Sequence, residues 1–329
     1  MPLLTENTYR PPYWLRNGHT NTIVSGLFRK SPKVRMKRNM IRTTDDDIVL
    51  VDRLAKGNGK LAVLCHGLEG SSQSSYIQSM AYSLYQEGYD ILALNFRSCG
   101  GVMNRQLRMY HSGETRDLHM ALKYYQDPYH AIALVGFSLG GNVILKYLGE
   151  NPSRVHHKVR AAVAISAPID LAGSSKQIDR KENYLYREMF LRSLSKKVRA
   201  KSKQFPNQVD VKKLGDVKSL YDFDNYFTAP VHGFKDANDY YRKASSNQFL
   251  FDIALPTMLM NAKDDPFLSD TCYPEKLAKF SDSLFLQTPD YGGHVGFKNP
   301  GSLDFHVEEA ISFLKVHTPS RRSDLSWHL

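Results

Sequence analysis

The chain has 329 residues, 42% hydrophobic and 23% charged, with a formal net charge of +11, which allows a sizeable core in an ordinary globular protein. No apolar run approaches the roughly 20 residues that span a bilayer, Met1-Pro2-Leu3-Leu4-Thr5-Glu6-Asn7 lacks the regions of a signal peptide, and three cysteines without C-x-x-C spacing indicate neither a disulfide framework nor a zinc site. A cytosolic protein is expected.

Repeats and low-complexity segments are absent. After an N-terminal extension of about forty residues (1–40), residues 48–54 read as a strand and 61–65 as a short buried strand ending at His66-Gly67. Residues 75–87 have helical apolar spacing and stop at Gly88, a usual C-terminal helix signal. A strand follows at 90–96, a helix at 114–126, a buried strand at 131–135 leading into a helix from Gly141, and another strand at 161–166. Strands alternating with helices imply βαβ units, hence an α/β protein with a mostly parallel sheet flanked by helices.

The rhythm breaks after Pro168. Residues 169–253 are basic, Tyr-rich and helix-like, and strands resume at 255–260 and 283–287 before a closing helix at 304–315 and a tail through Arg321 and Arg322 that is expected to fray. The division expected is therefore a core of 1–168 and 254–329 interrupted by a helical cap at 169–253. Much of the net charge is in the cap: residues 174–213 hold twelve Lys or Arg against four acids. Such a stretch can meet nucleic acid, anionic lipid or acidic substrates, or form a solvated helical face. No nucleic-acid module accompanies it, so no nucleic-acid partner is expected, and peripheral contact with an anionic membrane is left open.

Gly136-Phe137-Ser138-Leu139-Gly140 lies between the 131–135 strand and the helix that follows. The pentapeptide alone is not distinctive, but G-x-S-x-G in a strand–turn–helix setting is a nucleophile elbow, in which a tight turn presents the serine and tolerates only small neighbours. Serine needs a base to take its proton. His294, in the Gly-flexible loop Tyr291-Gly292-Gly293-His294-Val295-Gly296-Phe297 between the last strand and helix, opens at the same sheet edge; His66, His111 and His130 come too early for the order Ser…Asp…His. The acid that orients the imidazole is expected at Asp265, which precedes Pro266, in preference to its neighbour Asp264; Asp290 reads as a turn residue. Oxyanion donors are expected at the amides of Leu139 and of Leu68, in His66-Gly67-Leu68-Glu69-Gly70. Cys65 and Cys99 read as packing residues.

With these pieces placed, the chain resembles the YheT-like α/β-hydrolases (AB hydrolase family four) over nearly its whole length. The resemblance rests on Asn17-Gly18-His19-Thr20-Asn21-Thr22, His66-Gly67-Leu68-Glu69-Gly70, Asn95-Phe96-Arg97-Ser98-Cys99-Gly100-Gly101, Tyr110-His111-Ser112-Gly113-Glu114-Thr115, the elbow, Asp264-Asp265-Pro266-Phe267 and Gly292-Gly293-His294-Val295-Gly296-Phe297. One departure is Ser98, where glycine is expected. The resemblance implies the α/β-hydrolase fold and a triad of Ser138, Asp265 and His294, the residues chosen above on local grounds. It also implies hydrolysis of carboxylic esters, with acyl transfer to an alcohol as an alternative; a non-catalytic binding module on the same scaffold is a further one. Triad chemistry needs neither metal nor organic cofactor. Neither the acyl group nor the oligomeric state is legible.

Overall fold

The computed structural model describes residues 9–301 and 303–319. The tail at Arg321 and Arg322 and the first seven residues lie outside the described residues. Eight strands form one sheet: β1 (Lys37–Arg42), β2 (Ile48–Leu54), β3 (Lys60–Cys65), β4 (Asp90–Asn95), β5 (Ala131–Phe137), β6 (Val159–Ile165), β7 (Thr257–Met260) and β8 (Leu284–Gln287). Their order is β1-β2-β4-β3-β5-β6-β7-β8; β2 pairs antiparallel with both β1 and β4, and the six strands from β4 to β8 in this order are parallel.

The central strands are near-continuous runs of Leu, Val, Ala and Ile, as expected where both sheet faces are covered. Alternation sorts them between two cores. Val63, Leu92 and Leu134 point to one face, where α3 (Arg116–Tyr125) and α4 (Leu139–Glu150) pack. Ala62, Leu64, Ala133, Val135 and Val163 point to the other, covered by α2 (Ser75–Gln86) and the last helix (Phe305–His317).

Residues 37–42 add a strand where the sequence suggested only extension. This edge strand is mostly exposed and polar, so it carries no hydrophobic alternation. Ahead of it lies α1 (Gly18–Phe28).

The segment between β6 and β7 is helical, as its composition suggested. It holds α5 (Leu171–Ile178), α6 (Tyr184–Gln204), two short turns of helix, α7 (Leu220–Phe223) and α8 (Ala229–His232), and α9 (Ala237–Ala244). It has a small core of its own around Leu191, Leu194, Phe223 and Phe227. Its two ends are tied together: the Asn247 amide donates to the Ile169 carbonyl at 3.1 Å and the Leu171 amide to Ser245 Oγ at 3.0 Å. Buried Asn142 of α4 closes this neck, donating to the carbonyls of Ser112 and Ala244 and accepting from the Ser246 amide.

Candidate active site

At the end of β5 the chain turns through Ser138 directly into α4. Ser138 sits at φ +51°, ψ −123°, a backbone conformation that costs a non-glycine residue about 1–3 kcal/mol. The flanking glycines are steric requirements: a Cβ on Gly136 would lie 2.4 Å from the Gly140 carbonyl oxygen, and one on Gly140 2.4 Å from that of Cys65. The Ser138 amide donates to the Ile165 carbonyl at 2.8 Å, fixing the turn to β6.

Across the carboxyl edge of the sheet, Asp265 and His294 meet this serine. The His294 Nδ1 lies 2.9 and 3.1 Å from the two carboxylate oxygens of buried Asp265, whose Oδ1 also accepts from the Phe267 amide at 2.9 Å. With Nδ1–H donating to the carboxylate, Nε2 is left as the acceptor for the Ser138 hydroxyl, 2.9 Å away. Phe267 covers the imidazole, ring centroids 4.4 Å apart. Of the two adjacent aspartates, Asp265 faces the ring and Asp264 does not.

Asp264 instead accepts from the Gly293 amide at 2.8 Å. Burial, with the Asp265 charge adding to it, pushes its carboxyl up to about 6. That contact is one of several holding the histidine loop, in which Gly293, Val295 and Phe297 all have positive φ. The His294 amide donates to Thr22 Oγ1 at 2.8 Å, and the Val295 amide to Ser166 Oγ at 2.9 Å. Arg29 donates from Nη2 to the carbonyls of Val295 and Gly296 at 2.6 and 2.7 Å, and is itself paired with buried Asp304 at 2.6 Å. Thr22 and Arg29 both belong to the N-terminal segment. Asn17 accepts from the Thr20 amide and so caps α1, while a Cβ on Gly18 would fall 1.9 Å from the Asp264 carbonyl oxygen. The Asn17–Thr22 stretch is therefore the mould against which the histidine loop sets.

Ser138 and His294 stand where two apolar spaces meet. One runs under the helical segment past Leu139, Ile178, Leu194, Phe223 and Phe227. The other is an open groove between α1 and α6, bordered by Ile23, Leu27, Leu185 and Met189. Leu68 borders both, and a Cβ on its neighbour Gly67 would come 3.1 Å from Ser138 Cβ.

A protein-family model for the alpha/beta hydrolase fold matches residues 61–300. The chain belongs to that family. Within it this hydrolase is YheT-like: it is 34% identical to YheT of Escherichia coli (strain K12), over 85% of this chain and 84% of that one. It is 29% identical to phospholipase ABHD3 of Mus musculus, over 90% of this chain and 74% of the relative. Among solved structures it is similar to the esterase Pf2001 of Pyrococcus furiosus, with a TM-score of 0.57, 88% of this chain and 99% of that one covered, and 18% identity, a likeness of fold alone.

Other expectations about this hydrolase resolve locally. Ser98, where the resemblance called for glycine, has φ +63°, and its hydroxyl donates to Asn104 Oδ1 at 2.5 Å. Cys65 and Cys99 are buried, and burial pushes their thiols up to about 12 and about 11, fitting packing roles. The basic stretch of α6 is only partly a solvated face. Lys197 turns inward to Glu69 at 2.7 Å, and Lys201 donates to the carbonyls of Asn104 and Gln106. The space under the helical segment is also lined by a buried carboxyl that the sequence reading overlooked. Asp224, at the start of a π-helical turn (Asp224–Thr228), accepts from Thr228 and Tyr241 and is pushed up to about 6 by burial. Asp290 pairs with Lys263 at 2.8 Å. Among the described residues no helix is long and apolar enough to cross a membrane.

Proposed function

We propose that this carboxylic ester hydrolase works through an acyl-enzyme on Ser138. The observation that carries the reading is the continuous chain from Asp265 through His294 to Ser138, each link 2.9 Å. Ser138 Oγ attacks the ester carbonyl carbon as its proton passes to His294 Nε2, and the resulting imidazolium faces the Asp265 carboxylate. The carbonyl oxygen takes up negative charge, for which the amides of Leu139 and Leu68 are the donors. Around the Leu68 loop, the amides of Gly67, Glu69 and Gly70 donate elsewhere, to Tyr76, to Tyr110 and to the Gly67 carbonyl. Collapse of the tetrahedral species breaks the bond to the alcohol, which leaves with the proton from His294. Water, deprotonated by the same nitrogen, then releases the acid and restores the serine.

The helical segment at 169–253 acts as a cap, and the apolar space beneath it receives the acyl chain. Its lining suits short- to medium-chain or lipid-like acyl groups, in keeping with the phospholipase among the relatives. Ser138→Ala should reduce turnover of short p-nitrophenyl esters by about a thousandfold or more and abolish fluorophosphonate labelling, with the melting temperature unchanged. A wild-type protein that neither labels nor hydrolyses would mark a binding module instead. Product analysis with a competing alcohol distinguishes hydrolysis from acyl transfer.

A further inference from the structure

The outward face of α6 has a pattern that the acyl-enzyme chemistry does not use. Residues 185, 189, 192, 196, 199 and 203 recur every three or four positions and so form one stripe along the helix. Leu185 and Met189 lead it, 75% and 58% exposed, and Arg192, Lys196, Arg199 and Lys203 continue it, all exposed. Among the described residues no carboxylate pairs with these four cations; the ion pairs of α6 are those of Arg187 and the inward Lys197. Across the groove, α1 adds to the apolar part: Ile23, Leu27 and Phe28 are 43%, 72% and 67% exposed, and exposed Lys30 follows the helix.

Large apolar side chains gathered in water around one opening mark a surface that is covered in use. Both halves of this surface fit a lipid interface: the apolar residues enter between headgroups, and the cations meet anionic phosphates. A polyanion such as RNA would account for the cations but leave the apolar rim in water. The groove also leads from this rim to Ser138 and His294. We propose that the protein docks on anionic lipid surfaces through the α1–α6 rim, and that lipid esters enter the groove directly from that surface. The docking stands on the exposed surface alone, whereas the entry route rests on the acyl-enzyme reading.

The test is co-sedimentation of the full chain with vesicles of phosphatidylcholine alone or mixed with phosphatidylglycerol. Binding is expected to the mixed vesicles, to weaken with added salt, and to fall at least tenfold in Arg192→Glu/Lys196→Glu/Arg199→Glu and in Phe28→Glu/Leu185→Glu. The charge-reversed variant should keep wild-type turnover of p-nitrophenyl acetate and wild-type melting. Ser138→Ala should bind vesicles as wild type does, so that loss of the acyl-enzyme reading and loss of docking are seen separately. Docking is overturned by equal sedimentation with neutral and anionic vesicles, by variants that bind undiminished, or by a uridine oligonucleotide captured through the same cations while vesicles are not.

Discussion

The serine and histidine sides of the site are built in opposite ways. The elbow is assembled from consecutive residues: strand β5, one strained residue and helix α4, with two glycines that make the turn possible and the Ser138 amide tying it to β6. The histidine loop also has strained backbone, but its constraints are borrowed from Thr22, Arg29, Ser166 and Asp264. A locally encoded feature should fail abruptly when its own residues change. A braced one should weaken in steps as braces are removed.

Four measurements sharpen that contrast, the largest effect first. Gly140→Val should prevent the elbow from closing, since its branched side chain would meet the backbone of Cys65 and His66; loss of soluble, cooperatively melting protein is expected, and a well-folded variant would contradict the steric reading. Arg29→Met strands Asp304, 3% exposed, with Lys298 as its remaining partner, and a cost of about 3–5 kcal/mol in chemical denaturation is expected. Thr22→Val leaves the His294 amide unpaired at a cost of about 1–3 kcal/mol. Its kcat/KM should drop roughly tenfold, corresponding to about 1.4 kcal/mol, and Thr22→Ser should restore it.

The smallest effect is in pH dependence. Burial raises the folded-state pKa of Asp264 from 3.8 to about 6, so the folded chain holds this proton more tightly than the unfolded one. Its contribution to stability is therefore complete below pH 3.8 and lost as pH climbs through about 6. Asp264→Asn keeps an oxygen for the Gly293 amide and should flatten the melting-temperature curve across that window; an unaltered curve would show that another group sets the slope.

The same contrast explains what could be read from the chain beforehand. Ser138 was legible because strand, turn and helix announce themselves within a dozen residues. Asp265 and His294 followed from chain order and from loops placed at the ends of strands. Thr22 and Arg29 were not legible as braces, because their partners lie 272 and 266 residues away and no local periodicity records such a pairing. Asn17-Gly18-His19-Thr20-Asn21-Thr22 drew notice only through family resemblance, and its physical meaning became plain once the Asp264 carbonyl was seen against Gly18. Strand β1 escaped for another reason: an exposed edge leaves its sequence free to be polar. Charge counting likewise could not tell the inward lysines of α6 from its outward ones.

The neck closed by Asn142 bears on how such a molecule can diversify. Because the segment between β6 and β7 leaves and re-enters through hydrogen-bonded neighbours, its length can change at little entropic cost and without shifting any strand. A recombination that exchanged residues 171–244 for another span with compatible ends would present a new chamber to an unaltered nucleophile. On the acyl-enzyme mechanism proposed above, chimaeras joined at this neck should change which acyl groups are accepted while leaving the Asp265–His294–Ser138 chain in place.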